Sequence, residues 1–503
     1  MEKNNLHNTS GTVIGWFRDQ LLTRKMASPL GLLILAVLSV GIAYATVLVS
    51  IKLSIGITAT VGVALLCVLC VVYPMVGFCL CFIIPFFMML PVRLINAAEQ
   101  IPTGLIPEYF SYLTFLGLLT KQQYRKELNA QFWNNPIVLI SLITMAYYFL
   151  QFFNPESGSK LGWFNYTRKQ ISFMLFMLIS YMLLNSRRNI IFFMRLWVVV
   201  STLQALYCCK QQWFGFAGYE YNWLVADPKR LELFVNGGFV RRFGLVSDPA
   251  AAGILYACST ALVLVLGLQA KEFRKRFMYL LLAVIHFLAS SYTGTRTATL
   301  MIVAGIAFYC ILTLYEKRTM IVSVMFGVGL MALLFAPIYD NMVINRLRST
   351  FEGSKDPSAM VRDNNRKMVQ PYVWTHPIGG GLNTCGLVGQ MYNPGHYLSM
   401  IPPDSGYMQI MMEQGPIGLA LMLIFYYIIL RTGIKYFYQA KDHYIKSLYV
   451  ANLVSIFTLL VAQFSQQAIG QYPSVLYFYA ALALLIMLHK FDRHAKKSEA
   501  TEQ

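Results

Sequence analysis

Long apolar runs separated by short polar connections dominate the chain. Fourteen of them approach membrane-span length: 30–51, 53–73, 75–91, 104–119, 136–153, 170–184, 190–210, 249–268, 277–293, 297–315, 319–337, 407–430, 447–463 and 474–489. A helix rises 1.5 Å per residue, so about 20 apolar residues cover the roughly 30 Å hydrocarbon layer. Pro107 and Glu108 interrupt one run, and residues 53–91 divide in more than one way. The pattern therefore predicts an all-α polytopic membrane bundle of about 12–14 transmembrane helices.

Two longer polar connections, 211–248 and 338–406, break the rhythm. Both hold aromatic anchors (Trp213, Trp223, Tyr372, Trp374, Tyr392), so neither reads as a disordered linker, and the long outer loop 338–406 is expected to be partly helical. The expected organisation is a cytoplasmic segment 1–29, a first bundle 30–337, a long outer loop 338–406, C-terminal spans 407–489 and a cytoplasmic tail 490–503. The basic residues Arg18, Arg24 and Lys25 precede a first run of full span length, which is unlike a cleavable signal peptide.

Charge refines this picture. The chain has 57% hydrophobic and 13% charged residues, against about 25% charged in a typical soluble domain. Its net charge of +19 would suit nucleic acid, but the Lys and Arg residues sit in short clusters between apolar runs. With both termini inside, basic residues concentrate in the short inside loops, as the positive-inside rule requires. Membrane lipids, not nucleic acid, are the expected surroundings. Nine cysteines lie mostly within apolar runs; Cys67 and Cys70 have zinc-like spacing but no His, Asp or Glu beside them, so no metal site is expected.

Four segments on the predicted outer face carry candidate chemistry. Arg241 and Arg242 precede Asp248-Pro249, which has the form of a helix start. Arg296 follows Gly294-Thr295 in a very short connection, where an ionisable residue is a site hypothesis by default. Arg362 and Arg366 would share one helix face. They precede His376-Pro377 and the triple glycine 379–381, which reads as a backbone turn and not a phosphate loop. Asp404-Ser405 runs into the span at 407, with Gly415-Pro416-Ile417-Gly418 shortly after. Asp404 reads either as a helix cap or as a general base. Each arginine has the plainer reading of headgroup contact, and His376 reads as structural before catalytic. Arginine clusters facing one carboxylate suit a substrate with concentrated negative charge, such as a lipid diphosphate. Transport is a competing reading, although a flippase would place more charge within its spans.

The order of these pieces resembles the bacterial O-antigen ligase and O-antigen polymerase superfamily. The counterparts are Arg242-Phe243-Gly244, Gly294-Thr295-Arg296, Arg362 with Pro377-Ile378-Gly379-Gly380-Gly381, and Asp404-Ser405 followed by Gly415-Pro416-Ile417-Gly418, over roughly residues 235–430. The resemblance implies a glycosyltransferase of the bacterial inner membrane, active on its periplasmic face. It would transfer a glycan from an undecaprenyl-diphosphate-linked donor to a saccharide or lipid A-core acceptor, without cofactor or required metal. Arg242 and Arg296 would hold the departing diphosphate, and Asp404 would activate the acceptor. Arg241, Arg362, Arg366, His376 and Ser405 would line the substrates. The resemblance also leaves room for a protein partner that regulates chain length. Family ligases usually carry His where this chain has Asp404, which tilts the expectation from ligase toward a polymerase of O-antigen, capsule or exopolysaccharide repeats.

Overall fold

In a hydrocarbon layer every backbone polar group must find a partner within the chain, and a helix satisfies them within one segment. The computed structural model accordingly answers each apolar run with helix; it describes residues 28–48, 51–95, 103–236, 238–335 and 357–501. We number the long helices α1 (Pro29–Leu48), α2 (Ile51–Val72), α3 (Pro74–Phe87, followed by the short helix Met89–Leu94), α4 (Leu105–Leu119), α5 (Pro136–Leu150), α6 (Lys160–Leu183), α7 (Arg187–Trp213), α8 (Pro249–Gln269), α9 (Phe273–Tyr292), α10 (Arg296–Leu312), α11 (Lys317–Phe335), α12 (Pro357–Thr375), α13 (Gly406–Gln439), α14 (His443–Ala462) and α15 (Ser474–Thr501). Among the described residues, seven helices are long and apolar enough to cross a membrane, and four shorter apolar stretches accompany them. The protein is an all-α, multi-pass membrane bundle. Residues 1–27 of the predicted segment 1–29 and the first part of the long loop, through residue 356, lie outside the described residues.

Helix starts follow from local chemistry. Asp248 Oδ1 accepts from the Ala250 and Ala251 N–H groups, both at 2.9 Å, with Pro249 in the first helical position. Asn135 caps α5 in the same way, ahead of Pro136. At α13 the cap is Ser405, whose Oγ accepts from Met408 N at 3.0 Å. Asp404, one residue earlier, is thereby left for other work.

The chain forms two units, residues 28–80 with 109–126 and residues 81–108 with 127–501. In the first, Gly117 lies against the Val71 backbone, an approach that any side chain would block. In the second, α8 is the hub. Of its apolar window 83% is buried, against 39% for α5 and for α13, and it packs on α7, α9, α10 and α14. Gly253 on α8 lets Thr293 and Thr295 approach, and Gly305 on α10 does the same for Thr458. Phe82, Phe86, Phe176, Phe193, Trp197 and Tyr477 form an aromatic core beside it.

Connections in this second unit gather at the two ends of the helices. At one end Arg187 approaches Asp442 and Lys490 pairs with Glu127. At the other end meet the segments 234–248, 292–297, 376–406 and 463–470. The described part of the predicted tail is helical, because α15 runs on to Thr501.

Candidate functional site

The segment Arg241–Ser247 has little regular structure of its own and is held by side chains from elsewhere. Gln211 Oε1 accepts from Phe243 N at 3.2 Å and Gly244 N at 2.9 Å, and Gln204 Oε1 accepts from Leu245 N at 3.1 Å. From below, Arg93 is fully buried, at 0% exposure. Its Nη1 donates to Gly244 O at 2.9 Å, its Nη2 donates to Val246 O, and its guanidinium faces the Trp223 and Phe243 rings at 4.8 and 4.5 Å. Gly244 has φ +58°, and a Cβ there would collide with the Tyr256 hydroxyl. A two-residue antiparallel pair, Val235–Asn236 with Phe239–Val240, leads the chain in. The outcome is a rigid shelf under two arginines.

Those arginines have different surroundings. Arg241 reaches the next turn: its Nε donates to Thr293 O at 3.0 Å and its Nη2 to Thr295 Oγ1 at 2.9 Å. Thr295 Oγ1 donates onward to Pro249 O at 2.9 Å. Arg242 is half-buried, with Nε donating to Gln212 Oε1 at 2.9 Å and the guanidinium 4.7 Å from the Phe216 ring. Burial works against its charge and holds its pKa below the usual arginine value. Arg241 thus braces the α9–α10 turn, where Arg296 is the first residue of α10.

A second turn, 463–466, joins that group to Asp404. Thr297 Oγ1 and Ser465 Oγ share a hydrogen bond of 2.7 Å. Gly406 N donates to Gln463 O at 3.0 Å, and Gly406 packs so tightly on the Gln463 side chain that a Cβ would overlap it. On α12, Asn365 Nδ2 donates to Asp404 Oδ2 at 2.9 Å, and Arg366 lies 5.5 Å from the ring of Phe464. Thr297 (next to Arg296), Arg366 and Gly406 (which follows Asp404-Ser405) therefore all contact one turn, while Arg241 contacts the adjoining 292–297 turn through its side chain and Arg242 through its backbone. Arg362 shares α12, but its side chain lies outside those described.

His376 has a different setting. Its ring stacks on Tyr372 at 3.9 Å, its Nδ1 is 2.8 Å from Tyr372 O, and its Nε2 is 3.8 Å from Glu156. His396 acts as a cap, its Nδ1 accepting from Leu398 N at 3.1 Å, and burial lowers its pKa. The glycines 379–381 do form a backbone turn after α12, and it docks in a specific place. Gly380 N donates to Met412 O and Gly381 N to Glu413 O, both at 2.9 Å. They meet α13 where it is interrupted at Gly415 (φ 69°) and Pro416. The glycine-rich turn and Gly415 fit only because neither has a side chain.

Two residues of this arrangement had no signal in the sequence. In the sequence Arg93 is a single basic residue after an apolar run, and Asn365 a polar position between Arg362 and Arg366. Gln204, within the apolar run 190–210, is a readable hint, since an amide buried in a span needs a partner.

Residues 280–423 match the family model described as O-Antigen ligase. None of the curated proteins matches the chain. The matched segment runs from α9 into α13 and contains Arg296, Arg362, Arg366 and Asp404, while Arg241 and Arg242 lie before it. The match supports the O-antigen ligase and polymerase superfamily.

Proposed function

We propose, from the premise that this multi-pass membrane protein carries an O-antigen ligase-type domain, that it transfers a glycan from an undecaprenyl-diphosphate donor to a saccharide acceptor on the outer face of the bacterial inner membrane. The observation that supports the reading is a chain of contacts along these segments: Arg242 N donates to Tyr292 O, Thr297, next to Arg296, bonds Ser465, and Gly406, two residues after Asp404, donates to Gln463 O. In the reaction the bond from the anomeric carbon to the diphosphate oxygen breaks, and its electron pair stays with the departing lipid diphosphate. The acceptor hydroxyl oxygen forms the new glycosidic bond and gives its proton to Asp404. Negative charge builds on the leaving group, and fixed guanidinium groups at that position lower the barrier. Arg242 and Arg296 fill this role, since the planar fork can donate two parallel hydrogen bonds to a phosphate. Asn365 holds one carboxylate oxygen of Asp404 and leaves the other for the acceptor.

Within this class we favour a repeat-unit polymerase, because an aspartate stands at the position of the usual ligase histidine. The ligase reading draws on the matched family, O-Antigen ligase. Arg296→Lys and Arg242→Lys provide the test. Both keep the charge and lose the fork, so transfer in purified protein should fall at least tenfold; full activity in both variants would remove the diphosphate role.

A further inference from the structure

A cavity of about 380 Å³ opens between α5, α6, α13 and the 463–470 connection. The same connection carries Ser465, which bonds Thr297. Gln463 contributes to its wall, and the backbone carbonyl of the same residue accepts from Gly406, two positions after Asp404. Through Gln463 the cavity is linked to the segment that carries the candidate base, and none of Arg241, Arg242 and Arg296 lines it.

Its lining changes with depth. Toward the loops stand Asn165, Arg168, Lys169, Gln409 and Gln467; deeper stand Met174, Phe425 and Tyr426. Arg168 pairs with the buried carboxylate of Glu108. Lys169 donates to Gly470 O at 3.0 Å, and among the described residues no carboxylate lies within ion-pair distance of it. Two cations thus face one carboxylate. The other nearby acid, Glu413, is buried behind Gln409 with its Oε1 3.5 Å from Cys385 N. A cationic rim over an apolar and aromatic floor fits an amphiphile whose anionic group stays at the membrane surface.

We infer that this cavity is the acceptor subsite and takes the phosphate end of a second lipid-linked glycan at Lys169 and Arg168. The inference rests on the glycosyltransferase reading above and deepens it. Two lipid phosphates would flank Asp404: the donor's at Arg242 and Arg296, the acceptor's at Lys169. That arrangement is what repeat-unit polymerisation requires, because both of its substrates are lipid diphosphates.

Native mass spectrometry of the purified protein with undecaprenyl phosphate tests the assignment without requiring turnover, so its outcome is separate from that of the transfer assay. Lys169 is the informative residue, because replacing Arg168 would leave Glu108 buried without its partner. Wild type should bind two undecaprenyl phosphates and no undecaprenol. Lys169→Gln should retain one, and Lys169→Arg should retain two. Asn165→Trp, which narrows the mouth and leaves every charge in place, should also retain one. Two lipids bound by both Lys169→Gln and Asn165→Trp, or a single lipid on wild type, would overturn the proposal. So would loss of the second lipid to excess phosphatidylglycerol, which would make this an ordinary headgroup site. In turnover, Lys169→Gln should raise the acceptor KM about tenfold and keep kcat.

Discussion

Replacing Gly379 by alanine tests whether the glycine-rich turn is a docking element or a substrate contact. Gly379 has φ +73°, and a Cβ there would meet the backbone of Glu413, Gln414 and Gly415. Left-handed backbone costs an L-residue about 1–2 kcal/mol. Overpacking against atoms that cannot rotate away adds about 1–3 kcal/mol. Gly379→Ala should therefore cost about 2–5 kcal/mol, concentrated where the turn meets the α13 interruption. Gly395→Ala is the control, since nothing lies within 4 Å of its position. The assay pairs thermal unfolding in detergent with the rate of proteolysis between residues 376 and 405. Gly379→Ala should unfold at lower temperature and be cut faster, while Gly395→Ala matches the parent. If the two variants behaved alike, the docking argument would be refuted.

Other consequences are as specific. Arg93→Met keeps bulk and removes two donors from buried carbonyls, each loss worth about 1–3 kcal/mol; thermal unfolding should show destabilisation, and transfer should fall although Arg93 touches no substrate. Asn365→Ala should lower kcat several-fold with little change in donor KM, and Asn365→Asp, which sets a second carboxylate beside Asp404, should move the acid limb of the pH–rate profile upward. His396 has a folded pKa below the ordinary value, so its contribution is complete above about 6.5 and is lost as pH falls through that value toward the lower folded one. Proteolysis of the 376–405 connection should accordingly speed up between about pH 7 and 5, and less so in His396→Asn, which can still accept from Leu398 N.

The helices were legible because burial in hydrocarbon forces apolar blocks of fixed length, and Asp248-Pro249 announced its helix start through purely local chemistry. At Asp404-Ser405 the local rule admitted either residue as cap. The structure chose Ser405, and that choice frees the aspartate. The arginines were readable as charges out of place, but their supports were not. Arg93 acts on a segment 151 positions away, and Asn365 on a carboxylate 39 positions away. Such contacts depend on packing, which no local pattern encodes. The cavity beside Lys169 is of the same kind, assembled from six separate stretches of chain.

The most direct test of the central claim is a gel of lipid-linked glycans after purified protein meets the undecaprenyl-diphosphate repeat unit of its own pathway. A repeat-unit polymerase gives a growing ladder without added acceptor and releases undecaprenyl diphosphate with each step, and Asp404→Asn gives neither. A single shift that requires lipid A-core would select the ligase reading. Equal product from Asp404→Asn, or no product from folded wild type, would contradict the account.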